Sequence, residues 1–180
     1  MKHKYRMKEA YKELQKHNSR VGWKSITYHN IARPRAMFIL WIACNGRLAT
    51  KDRLRKIGIL TDDACCFCQQ HETIQHLLFE CNRSRTIWRE ILVWLHIPHE
   101  PKTWDAELEW VTQMCKRKNW KSRILVCAFA ETIYAIWKVR NDTIFGHAVN
   151  NGIEKDIIDT IVYRCWEHEK LRPHLASLMI

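Results

Sequence analysis

Three cysteines and one histidine within seventeen residues carry the most specific chemistry in the chain. Cys65 and Cys68 are separated by two residues, His76 follows after seven more, and Cys81 after a further four. Thiolate and imidazole are the ligands Zn2+ prefers, four at a time in a tetrahedron, with Zn–S of about 2.3 Å and Zn–N of about 2.0–2.1 Å. A Cys-x2-Cys turn lets two sulfurs reach one ion from a single tight loop. With all four positions filled by protein, none is left for water or substrate. The expected Zn2+ is therefore structural, contributing to folding and not acting as a Lewis acid. Cys66 stays open as an alternative to Cys65, through a Cys-x-Cys spacing that is less common in structural zinc sites, and His71 also lies close by. Cys44, Cys115, Cys127 and Cys165 have no partner at ligand spacing, and each reads as a small core residue on an apolar helical face.

Positioning those ligands makes a demand on the chain between them. The segment from Glu72 to Phe79 reads as a short helix, with Ile74, Leu77 and Leu78 turned to the core and His76 toward the metal. Five residues are about one and a half helical turns, so the helix must end near Phe79 or Glu80 if Cys81 is to swing round. The surrounding pattern is also helical. Only five Gly and four Pro occur in 180 residues, with 47% hydrophobic residues, which favours helices over a turn-rich β fold. Arg33-Pro34 breaks the chain, and the apolar run Ala36 to Cys44 reads as a deeply buried helix. Thr50 is placed to cap a short helix that Gly58 closes.

Beyond the cluster, Trp88, Ile91, Leu92 and Leu95 form one stripe, and the prolines at 98 and 101 end it. Asp105 to Cys115 reads as a further helix, and Asn119 as the turn after it. Ser122 to Phe145 forms a long helix closed by Gly146. Ile157 to Cys165 forms a last one, which Pro173 terminates. The fold class is mostly α: a basic helical arm over residues 1–20, a small helical zinc-binding module over 21–95 and a helical carboxyl-terminal extension over 96–180.

The net charge of +11 is unevenly placed: residues 1–60 hold 15 Lys and Arg against 3 Asp and Glu, and the remainder 15 against 16. Such asymmetry is the footprint of a polyanion partner, RNA or DNA, or else a solvated basic tail. The candidate phosphate contacts are Arg33, Arg35, Arg47, Lys51, Arg53, Arg55 and Lys56. Exposed aromatics would add base stacking, whereas Trp23 and Trp41 in the core would leave only solubilising charge. The longest apolar run is about half the ~18–20 residues of a membrane span. The amino-terminal residues lack the apolar stretch of a secretory signal, so a reducing intracellular compartment, nucleus or cytoplasm, is expected.

Taken together, the run PRAMFILW ending at Trp41, GRLATKDRL from Gly46 to Leu54, the four ligands, Glu72-Thr73, His76 to Phe79 and Trp88 resemble the zinc-binding domain of plant non-LTR (LINE-type) retrotransposon reverse transcriptases. The resemblance covers about Val21 to Leu95, and Ile136 to Asn141 with Ile144 and Phe145 extends it to the helix that often follows this domain. It implies a region carboxyl-terminal to a polymerase, holding template RNA or target DNA near it.

Catalysis is not expected. A polymerase needs spaced carboxylates around two metal ions about 4 Å apart, and Asp62-Asp63, the one adjacent acidic pair, reads as a polar loop. No run of strands would carry ribonuclease H carboxylates. His29, His96, His99 and His147 read as exposed or capping residues, and no small-molecule substrate is indicated. The competing expectation is a structural or protein-interaction module, packed on a polymerase domain or another protein partner.

Overall fold

The computed structural model describes residues 21–148 and 152–178; the arm expected over residues 1–20 lies outside them. Helices make up nearly all of the regular structure: α1 (Lys24–Thr27), α2 (Pro34–Cys44), α3 (Lys51–Lys56), α4 (Asn82–Trp94), α5 (Trp104–Cys115), α6 (Trp120–Ile144), α7 (Ile153–Trp166) and α8 (Arg172–Leu175). The one β pairing among the described residues is an isolated antiparallel bridge between Ala64 and His71.

The long helix α6 is the spine. It runs from an Asn119 cap, whose side chain accepts from the Ser122 amide, through a stretch in which Ile124 to Ile133 is buried without interruption. Neighbours on every side explain that pattern: α2 packs on one flank, α7 on another, and α4 and α5 on the remainder. Pro34 opens α2 in its first turn, where a missing N–H costs nothing.

Three helix expectations need correcting. Helix α2 is not buried all round: Ala36, Leu40 and Ala43 face α6, while Phe38 and Trp41 are 58% and 44% exposed. An unbroken apolar run carries no period from which to read its outer face. Thr50 holds the N-cap position of α3 but its side chain makes no capping bond: its hydroxyl turns to Asp52 Oδ1 at 2.5 Å, and the Lys51 amide donates to Glu72 Oε1 at 2.8 Å. Pro173 sits in the first turn of α8, and α7 has already ended at Trp166.

An aromatic cluster locks the centre. Phe79 lies 5.9 Å from Trp88, 6.3 Å from Trp104 and 5.9 Å from Phe129, ring to ring. Trp104 stacks on Phe129 at 5.8 Å. The cluster joins α4, α5 and α6 to the segment between His76 and Cys81. Beside it the buried Glu107 carboxylate accepts from Trp88 Nε1 (2.9 Å) and the Lys102 amide (2.8 Å) and meets His99 Nε2 at 2.7 Å. His99 is thus an interior group stacked on Trp110 at 3.7 Å, not an exposed one.

Removing the Phe79 ring leaves a cavity that these packed neighbours cannot fill. Phe79→Ala is expected to lower the unfolding free energy by about 3–5 kcal/mol, read from urea denaturation of the zinc-loaded protein. A loss below about 1 kcal/mol would mean that the cluster is loosely packed.

Candidate metal centre and basic face

The first pair of sulfurs comes from a tight hairpin. The Cys65 amide donates to the Gln70 carbonyl at 2.6 Å and the Gln69 amide to the Cys65 carbonyl at 2.9 Å, while Gln69 takes a left-handed conformation with φ 66°. These bonds curl Cys65 to Cys68 around a common centre, and the Ala64–His71 bridge closes the base.

The second pair needs a sharper device. Thr73 accepts the His76 amide through its hydroxyl at 3.0 Å and the Leu77 amide through its carbonyl at 2.8 Å, starting one turn of helix. The helix fails at once: Leu78 is at φ −101°, ψ 69°, and Phe79 at φ 106°, ψ −10°. The expected reversal therefore begins a residue earlier than the spacing suggested, and it falls on a bulky residue in a region that L side chains avoid. The wide turn closes with the Cys81 amide on the His76 carbonyl at 2.6 Å, and Arg85 Nε caps the Phe79 carbonyl at 2.9 Å. Cys81 then precedes the first residue of α4.

The result is one compact donor set. The ligand atoms of Cys65, Cys68, His76 and Cys81 all lie within 4.8 Å of one another, with Cys68 Sγ 3.0 Å from His76 Nε2. Thiolates at about 2.3 Å on a tetrahedral ion stand roughly 3.8 Å apart, so the group can hold Zn2+ with small adjustments. Three sulfurs and one imidazole, with no carboxylate, also suit zinc better than a hard cation. The Cys65 thiol is drawn below the ordinary range by hydrogen bonds from Cys66 and then Cys81. Cys66 and Cys81 are pushed up, first by the same contacts with Cys65 and then by burial.

The two alternative ligands stand outside this set. The Cys66 thiol lies 4.0 Å from the Arg140 carbonyl. His71 Nδ1 pairs with Asp63 at 3.1 Å and is largely exposed. Of the four cysteines read as solitary, Cys127 and Cys165 are neighbours across α6 and α7: the hydrogen bond with Cys165, and then burial, pushes the Cys127 thiol well up. They lie 38 positions apart on different helices, beyond any local spacing rule.

A buried ion pair fastens the metal loop to the spine. Arg140 Nη2 is 2.5 Å from Glu72 Oε1 and Arg140 Nε is 3.3 Å from Oε2, with both side chains nearly inaccessible. Since Glu72 also takes the Lys51 amide, one carboxylate joins α3, the metal loop and α6. A second buried acid, Glu131, accepts from Arg33 Nη2 (2.7 Å), Arg33 Nε (2.9 Å) and the Arg33 amide (2.7 Å). The signal for Glu131 was a lone acid in an apolar helix, which must find a partner.

The seven basic candidates divide on these contacts. Arg33 is committed to Glu131, Lys51 to Asp62 at 2.7 Å, and Arg55 to Asp63. Lys56 makes a long exposed pair with Asp52 at 3.4 Å, and Arg53 donates to the Gly46 carbonyl at 2.5 Å. Arg35 and Arg47 are exposed with no ion pair among the described residues. Beside Arg35 the exposed rings of Phe38 and Trp41 stack at 6.3 Å and 22°. Arg47, Arg53 and Lys56 line one shallow cavity with Leu54 and Ile57. No described helix is long and apolar enough to cross a membrane.

All four members of the donor set fall within a stretch that similarity to known proteins also marks. Residues 5–88 match the family described as zinc-binding in reverse transcriptase. The match takes in the hairpin, the His76–Cys81 reversal and the basic helices α2 and α3. It spans just under half of the 180 residues, and the family is a zinc-binding region, not the polymerase itself. No curated protein and no solved structure matches the chain.

The buried and exposed pairs of α6 give opposite expectations. Arg140→Met leaves Glu72 buried without its counter-charge and should cost about 3–5 kcal/mol. Lys138→Met removes only the exposed pair with Asp142 and should cost under about 1 kcal/mol. Equal losses in thermal unfolding would show that the Glu72–Arg140 pair does not fasten the loop.

Proposed function

We infer that Cys65, Cys68, His76 and Cys81 together hold one structural Zn2+ ion, and that the surrounding region is a non-catalytic module derived from a reverse transcriptase that contacts RNA or DNA. The observation that carries the reading is the closed Cys3His set lying inside the family match. Zinc at this site would supply folding energy, on the order of 10–16 kcal/mol in apparent terms for structural sites. Thiolate ligands of this kind call for a reducing compartment, the nucleus or cytoplasm.

The nucleic-acid surface is the outer face of α2 continued through its carboxyl end to α3. Arg35 stands beside the Phe38–Trp41 stack, and Arg47, Arg53 and Lys56 follow past Gly46. Exposed rings offer faces on which bases of a single strand can stack, and the cations supply the salt-sensitive part. Arg33, Lys51 and Arg55 act instead through their acidic partners, holding the fold. The motifs around Pro34, Gly46 and Trp88, with Ile136 to Asn141, favour a plant LINE-type element as the source. A protein-contact reading draws on the loop after α3, where Ile57 and Ile59 are 67% and 64% exposed. A polymerase domain is the partner it would suit.

Metal analysis should find about one equivalent of zinc in the purified chain. Cys65→Ser, Cys68→Ser and Cys81→Ser should each bind it more weakly, while Cys66→Ser retains it. Loss in Cys66→Ser with retention in Cys65→Ser would transfer the ligand role.

For single-stranded RNA, the logarithm of affinity should fall with the logarithm of salt at a slope of about −2 to −3, as expected for three or four neutralised phosphates. Arg35→Ala, Arg47→Ala and Arg53→Ala should each flatten the slope by about 0.7. Salt-independent binding would remove phosphate contact from the account.

A further inference from the structure

One cavity in the described structure lies away from the metal centre and away from the basic face of α2 and α3. Its volume is about 420 Å3, and it sits where α1 and the segment after it meet the end of α5 and the start of α6. Ile31 and Val126 form part of its apolar wall, with Tyr28 and His29 at the side. Tyr28 is 65% exposed and meets the His29 ring at 4.4 Å, edge on. Ligand sites are commonly concave and mostly apolar, with a few polar groups that converge.

Charge gives the cavity its direction. Lys116, Lys118 and Arg123 line it, and no described acidic residue does. All three are exposed, without an ion pair among the described residues. Elsewhere in the structure the cations divide: Arg33, Arg83, Arg140 and Arg164 are among those with carboxylate partners, while Arg35 and Arg47 have none among the described residues. What marks the site is the convergence of three such unpaired cations on one apolar hollow whose lining holds no described acid. His29 and Lys118, which both line the cavity, take positive φ, 60° and 52°. Neither is glycine, and such strain of about 1–3 kcal/mol per residue gathers at ligand sites.

We propose that this cavity binds one nucleotide of a single-stranded nucleic acid, its base against Tyr28 and the apolar wall and its phosphate on Lys116, Lys118 and Arg123. An aromatic face beside apolar walls suits a planar base, and a rim of cations suits the phosphodiester attached to it. The site shares its class of partner with the proposed function and rests on it to that extent. It uses none of the same residues, so the two can fail separately.

The test uses the zinc-loaded full chain and fluorescein-labelled oligouridylate of about twelve nucleotides, followed by anisotropy. Tyr28→Ala and Arg123→Ala alter exposed side chains, and circular dichroism checks that each variant folds. Each is expected to weaken binding at least about fivefold, the low end of one stacked base. Adenosine monophosphate should compete, and inorganic phosphate at equal ionic strength should not. A uridine carrying 4-thio substitution should cross-link to the peptide containing Tyr28. Unchanged binding in both variants, with loss in Arg47→Ala, would overturn the cavity site and leave the basic face standing. If the wild-type chain binds no RNA, the proposed nucleic-acid role fails, and direct titration with adenosine monophosphate decides: binding lost in Tyr28→Ala upholds the site, and no binding overturns it. Oleate binding that Arg123→Ala abolishes, with the nucleotide inert, would also overturn it in favour of an acyl carboxylate.

Discussion

Between His76 and Cys81 the chain must return to the place it has just left. A continuing helix would carry Cys81 about 7.5 Å further along its axis and roughly 140° round, too far for both side chains to share a centre. The reversal is made at Leu78 and Phe79, with Phe79 at φ 106°. Strain of that kind costs about 1–3 kcal/mol, and burial of the Phe79 ring against Trp88, Trp104 and Phe129 contributes a similar amount. A metal ion on four protein ligands contributes several times more. The bend is therefore held from two sides, by the donor set at its ends and by the aromatic cluster at its apex.

That arrangement explains what could be read from the residues alone. Ligand types and local spacing pointed to Cys65, Cys68, His76 and Cys81, and the need for a reversal before Cys81 followed from helix geometry. Helices α4 to α7 were legible because each has a stripe, a cap or a breaker: Trp88 to Leu95, Asn119, Gly146. Contacts between distant residues were not. Glu72 and Arg140 stand 68 positions apart, Arg33 and Glu131 stand 98 apart, and nothing local says which acid meets which base. The outer face of α2 was hidden for a different reason, since PRAMFILWIAC is apolar at nearly every position and only packing against α6 decides which residues turn outward.

The same long-range pairing changes how the positive charge is understood. A count over residues 1–60 treats every Lys and Arg there alike, yet Arg33, Lys51 and Arg55 each meet a carboxylate while Arg35 and Arg47 do not. The last part of the chain is balanced overall, but it leaves Lys116, Lys118 and Arg123 grouped without acidic partners among the described residues. Net charge locates a tendency along the sequence. Only the fold locates the field it makes.

Glu72 reaches in three directions, to the start of α3, to the hairpin that carries it and to Arg140 on the spine. The stretch recognised by similarity stops at Trp88, yet the guanidinium that neutralises this carboxylate and the Phe129 ring that backs Phe79 both lie beyond it. Cutting the chain at that border would leave a bare interior charge and a half-walled aromatic centre. The segment that similarity recognises and the unit that can hold itself together are different lengths of chain, and α6 makes up the difference.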